Sequence, residues 1–82
     1  MKKIEFSESA KKVLVKLNKT LSKRILAKTE LLNAEPKSLQ IKKLKGSTDS
    51  FRIRIGTYRV IFEIQKDIIL ITKIGDRKDI YK

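Results

Sequence analysis

The sequence contains no cysteine and no histidine. The first absence excludes a disulfide framework and a thiolate zinc site; the second removes the usual imidazole ligand and the usual general acid–base. Proline occurs once and glycine three times, so turns and breaks are few and each one counts. Acidic residues are also scarce, with 9 Asp and Glu against 21 Lys and Arg, for a formal net charge of +12. No apolar run approaches the roughly 18 residues of a membrane span, and no signal peptide is visible, which predicts a cytoplasmic protein with no membrane partner. There are no internal repeats and no low-complexity segment.

What is present is enough for one domain over residues 1–82. A chain of this size buries only about 60–65% of the surface that its unfolded form exposes, so marginal stability in isolation is expected. Apolar residues make up 40% of the chain and recur with clear periods, so the charge belongs to a folded basic domain rather than a basic tail. Its partners are expected to be anions.

The stretch from Phe51 to Tyr81 organises the chain. Phe51, Ile53 and Ile55 alternate with Arg52 and Arg54, and after Gly56 and Thr57 the alternation resumes with Tyr58, Val60, Phe62 and Ile64. This is a β-hairpin pattern, with Gly56 supplying the positive φ that the first position of a two-residue turn requires. The turn sets Arg54 opposite Arg59 and places Arg52, Arg54 and Arg59 on one face. Like charges directly opposite one another destabilise a sheet by about 0.2–1 kcal/mol per pair, so folding alone does not account for the arrangement and an anion is expected there. Ile68 to Ile74 is apolar at nearly every position, which predicts a strand covered on both faces. Gly75 then leads to Asp76, Arg77, Lys78, Asp79, Ile80 and Tyr81.

Earlier in the chain, Lys2 to Phe6 reads as a short first strand. Ser7 reads as a helix N-cap, with Glu8 in the first turn where the helix dipole favours a carboxylate. Ala10, Val13, Leu14 and Leu17 fall on one helical stripe, and Asn18 is expected to end that helix. Leu21, Ile25 and Leu32 mark a second helix that stops before Pro36, and the short join predicts a helical hairpin. Lys11, Lys12, Lys16, Lys19, Lys23, Arg24 and Lys28 fill the remaining helix faces and are read as solvated surface in preference to a binding surface. From Glu35 to Ser50 no period is sustained, and a connection of this length in a small domain suggests a function or ordering by a partner. Lys42, Lys43 and Lys45 lie within it. They fit a nucleic-acid backbone contact, or equally a flexible loop with Ile41 and Leu44 tucked onto the core.

The order of strand, two-helix hairpin, long loop and three-stranded antiparallel meander defines an α+β domain. Together with L-K-G-S at 44–47, F-R-I-R-I-G-T-Y-R-V-I-F-E at 51–63 and G-D-R-K-D-I-Y at 75–81, it resembles the RelE/ParE superfamily of bacterial and archaeal toxins. The resemblance covers essentially the whole chain. It implies the toxin of a type II toxin–antitoxin pair, held by a cognate acidic antitoxin. RelE-type members cut mRNA on the ribosome without a metal, whereas ParE-type members act on DNA gyrase. On the RelE side, the resemblance implies catalytic or phosphate-binding roles for Arg52 and Arg54. It implies a transition-state role for Arg59, a basic residue after the last long strand in Arg77, and the near-C-terminal tyrosine in Tyr81. Asp76 stands where many relatives carry histidine.

RNA cleavage through its own 2′-hydroxyl needs a base for that hydroxyl, positive charge on the phosphate oxygens and a proton for the departing 5′-oxygen. Guanidinium groups hold phosphates bidentately and do not release protons, so Arg52, Arg54 and Arg59 are assigned as clamps. Tyr81 is the first candidate base, since neighbouring arginines lower a phenol that ordinarily ionises near pH 10. Arg77 is assigned to the leaving oxygen, and Lys42, Lys43, Lys45, Arg52, Arg54 and Lys78 to RNA contact. Glu63 is read as the counter-charge of the arginine face, and Tyr58 as a core residue. Asp76 and Asp79 make only a weak metal proposal, so neither metal nor cofactor is expected. The leading reading is a ribosome-dependent endoribonuclease. A gyrase poison and a non-catalytic RNA-binding module remain as alternatives.

Overall fold

The structure, a computed structural model, describes residues 2–44, 46 and 49–76. Strand β1 (Lys3–Phe6) is followed by helices α1 (Glu8–Lys16) and α2 (Lys19–Ala34). A 3-10 turn at Pro36–Ser38 leads to β2 (Ile41–Lys43), β3 (Ser50–Ile55), β4 (Tyr58–Ile64) and β5 (Ile68–Asp76). The five strands form one sheet in the order β1-β5-β4-β3-β2. β2, β3, β4 and β5 pair antiparallel in succession, and β1 closes the far edge parallel to β5.

Local signals set most of these boundaries. Ser7 caps α1 by accepting from the Ala10 N–H at 3.1 Å, and its hydroxyl also donates to the Thr72 carbonyl at 2.9 Å, which ties the helix start to β5. α1 ends at Lys16, with Leu17 as its C-cap, and Asn18 then opens the next helix, accepting from the Leu21 N–H at 2.8 Å. An Asn with a free acceptor beside an unsatisfied amide favours the N-cap, which is why it begins α2. α2 stops at Ala34, two residues before Pro36. Asn33 then clasps the first strand, accepting from the Lys2 N–H at 3.1 Å and donating to the Lys2 carbonyl at 2.5 Å.

One core lies between the helices and one face of the sheet. Ala10, Ile25 and Leu32 from the helices meet Ile53, Val60, Phe62, Ile69, Ile71 and Ile74 from the strands, with Tyr58 packed against them. Phe51 and Phe62 face each other across β3 and β4, their rings stacked with centroids 5.7 Å apart.

Two expectations are corrected here. The segment between Glu35 and Ser50 is not one long loop, because Ile41–Lys43 adds a fourth antiparallel strand at the edge, and the ladder continues with the Leu44 N–H donating to the Ser50 carbonyl at 2.9 Å. Three residues are too few to display a period, so the strand was invisible to pattern. β5 is also not covered on both faces: Ile69, Ile71 and Ile74 are buried towards the helices, while Ile68 and Leu70 are half-buried on the other side. The spacing of two and then three reflects a β-bulge, since Ile61 pairs with Lys73 and Phe62 with Ile71. Thr72, the extra residue, is held by its hydroxyl donating to the Ile61 carbonyl at 3.2 Å. No helix among the described residues is long and apolar enough to cross a membrane.

Candidate functional site: the basic face of the sheet

The hairpin between β3 and β4 turns at Gly56 and Thr57, with Gly56 at φ 61°. A positive φ at the first turn residue alone fits the type II′ geometry, whose twist matches that of the flanking strands. The resulting register pairs Arg54 with Arg59, Ile53 with Val60 and Arg52 with Ile61, as the alternation predicts. Because cross-strand partners share a face, Arg52, Arg54 and Arg59 all lie on the side away from the helices. β2 adds Lys42, paired with Arg52, and β5 adds Lys73, paired with Ile61, and Gly75, paired with Arg59.

The basic face therefore has two rows across the strands. One runs Lys42, Arg52, Ile61, Lys73; the other runs Arg54, Arg59, Gly75. Successive same-face residues on a strand are about 6.5–7 Å apart and neighbouring strands about 4.8 Å apart. The surface is thus a compact basic field across β2 to β5.

The three arginines occupy different environments. Arg54 is exposed, Arg52 is half-buried, and Arg59 is only 5% exposed. The Arg59 side chain folds back along the hairpin, and its Nη1 donates to the Tyr58 carbonyl at 3.2 Å and the Gly56 carbonyl at 3.4 Å. Its Nε is buried with no hydrogen-bond partner among the described residues. A buried cation served by two long bonds to neutral carbonyls, facing a second cation, has unused capacity for an anion.

The other assigned residues divide. Lys43 pairs with Phe51, which places it on the opposite face from Lys42 and outside this field. Asp76 pairs with Tyr58 and so shares the helix side of the sheet rather than the arginine side. Glu63 sits two residues beyond Ile61 on the basic face, and its Oε1 accepts from Gln65 Nε2 at 3.5 Å. Lys45, Arg77, Lys78, Asp79 and Tyr81 lie outside the described residues. Among the described residues no three carboxylates gather into a metal-binding group. Sequence reasoning set aside Arg24, whose Nη1 approaches to 4.0 Å of the position that a Cβ on Gly56 would take. A basic residue one helical turn before another, Lys28, was the signal available.

Comparison with known proteins fits this architecture. Residues 4–81 match the family described as "ParE toxin of type II toxin-antitoxin system, parDE". Toxin RelE3 of Methanocaldococcus jannaschii is 44% identical over 43 residues, a match that takes in 52% of this chain and 49% of that protein. The chain thus aligns with about half the length of this curated relative. Among solved structures, the archaeal RelE–RelB complex from Pyrococcus horikoshii OT3 has a chain that superposes with a TM-score of 0.79 at 28% identity, covering 95% of this chain and 97% of that one. The RelB–RelE antitoxin–toxin complex from Methanococcus jannaschii gives a TM-score of 0.78 at 33% identity, covering 94% of each chain. With a family match across nearly all of its length and the same fold as these toxins, the chain belongs to the ParE toxin family of type II toxin–antitoxin systems, within the RelE/ParE superfamily.

Proposed function

We propose that this protein is a metal-independent endoribonuclease that cuts mRNA on the ribosome by attack of the 2′-hydroxyl on the adjacent phosphodiester, and that an acidic antitoxin restrains it. The observation that carries the reading is the pairing of Arg54 with Arg59 on the face away from the core, with the Arg59 Nε buried and unpartnered among the described residues. A phosphate arriving there exchanges neutral carbonyl acceptors for charged oxygens, and charge-assisted bonds are about twice as strong as neutral ones. The benefit grows as the phosphate gathers charge in the transition state. Arg52 and Arg54 position the backbone, Tyr81 takes the 2′-hydroxyl proton and Arg77 stabilises the leaving 5′-oxygen. The archaeal RelE neighbours are found in complex with RelB, which supports an antitoxin partner for this protein.

The test is primer-extension mapping of mRNA after induced expression. Cleavage within translated codons is expected, lost in Arg59→Leu, and slowed by about 10² to 10⁴ in Tyr81→Phe, the range for general acid–base catalysis. Unchanged cleavage in Arg59→Leu refutes the assignment. The family description names ParE, so a DNA gyrase assay runs in parallel. Gyrase inhibition without mRNA cleavage replaces this reading with that of a gyrase poison.

A further inference from the structure

Among the described residues, four cations converge on the hairpin turn at Gly56. Arg59 Nη1 donates to the Gly56 carbonyl, and Arg54 pairs with Arg59. From the helix layer, Arg24 Nη1 comes within 4.0 Å of the Cβ position at Gly56, and Lys28 lines an open groove that also reaches Gln40, Arg54 and Gly56. Arg24 and Lys28 are four residues apart on α2 and so share a helix face, where like charges are destabilising by about 0.2–0.5 kcal/mol. Among the described residues lining the groove there is no carboxylate. A second groove, lined by Gln40, Ile41, Lys42, Arg52 and Arg54, shares Gln40 and Arg54 with the first. One basic channel therefore runs from the catalytic face across Arg54, round the hairpin tip and onto α2.

We infer that Arg24 and Lys28, with Gln40, form a second phosphate subsite that holds the RNA backbone next to the scissile nucleotide. The inference rests on the RNA-directed reading above and extends it to residues on a different layer of the fold. An ammonium and a guanidinium bind phosphate oxygens without reading the base, and the Gln40 amide offers both a donor and an acceptor. An acidic peptide is a poorer occupant. A segment that folds on binding needs buried apolar anchors, and among the described residues the exposed large apolar side chains Val15, Leu26, Ile41 and Ile64 include only one, Ile41, that lines either groove. Continuity with Arg54 also sets the direction: RNA engaged at Arg59 leaves the sheet past Arg54 and meets α2 at Lys28.

The test compares the intact protein with Arg24→Gln/Lys28→Gln for binding of a short single-stranded RNA made uncleavable by 2′-O-methylation, read by fluorescence anisotropy from 50 to 200 mM salt. Each phosphate contact contributes about 0.7 to the slope of log affinity against log salt for a single strand. Removing two contacts should lower the slope by about 1.4, so the unsubstituted protein loses about 7-fold more affinity than the variant across that fourfold salt range. The melting temperature should hold or rise, because glutamine keeps helix propensity and relieves the like-charge pair. Equal slopes and affinities for the two proteins overturn the subsite. So does a variant that binds RNA as before yet is no longer stabilised by the antitoxin, which makes the groove a peptide site. Absence of salt-dependent RNA binding by the unsubstituted protein defeats the RNA reading as a whole, and mRNA mapping with Arg59→Leu separates that outcome from failure of the subsite alone.

Discussion

Replacing Arg59 with Leu separates stability from function. Arg59 is 5% exposed, stands opposite Arg54 and leaves its Nε buried without an acceptor among the described residues. The substitution removes a like-charge cross-strand pair, a relief of about 0.2–1 kcal/mol. It also removes an unsatisfied buried donor, a relief of about 1–3 kcal/mol. Against this stand the bonds to the Tyr58 and Gly56 carbonyls at 3.2 and 3.4 Å. At those lengths they fall at the weak end of about 0.5–1.5 kcal/mol each. The balance is a stabilisation of about 1 kcal/mol, or a rise of about 4–8 °C in melting temperature for a domain of this size. Thermal unfolding followed by circular dichroism checks the figure, with Arg59→Met as a companion that keeps the unbranched stem. Growth arrest and mRNA cleavage should both disappear. A fall of more than about 4 °C in both variants refutes the reasoning, because it would mean that the guanidinium is held for packing.

Three further outcomes are expected. Ser7→Ala loses both the α1 cap and the bond to Thr72, and should cost about 1–2 kcal/mol in urea unfolding with an unchanged slope. Asn33→Leu releases both backbone groups of Lys2 and should cost about 1–3 kcal/mol, with faster hydrogen exchange confined to β1; exchange spread evenly over the sheet would refute the clasp. With a net charge of +12, association with an acidic antitoxin should be fast at low salt and slow as the Debye length falls below about 8–10 Å, while co-expression raises the melting temperature. Association rates indifferent to salt would rule out electrostatic steering.

Much of the molecule follows from local chemistry that a sequence displays directly. Ser7 beside Glu8, the i, i+3, i+4 stripe through Ala10 and Leu14, Pro36 after α2 and Gly56 in a two-residue turn each act within a few residues of themselves. The alternation from Phe51 to Ile64, once joined by that turn, allows a single register, so Arg54 opposite Arg59 needed no tertiary information. The bulge at Thr72 is not legible in the sequence, because Ile68, Ile69, Leu70 and Ile71 are apolar at every position and only the pairing of β4 with β5 shows which of them face the helices. Three features depended on elements distant in the chain. β2 exists because β3 offers it an edge, and its register puts Lys42 with the arginines and Lys43 on the other side. Arg59 and Arg54 look alike in the alternation, yet Arg59 is buried and bonded to turn carbonyls while Arg54 is exposed. Arg24 and Lys28 read as ordinary solvated helix positions because nothing in their own segment shows what lies across from them. Packing α2 over the sheet brings the Gly56 turn beneath them, and only that contact between layers makes them an extension of the basic face.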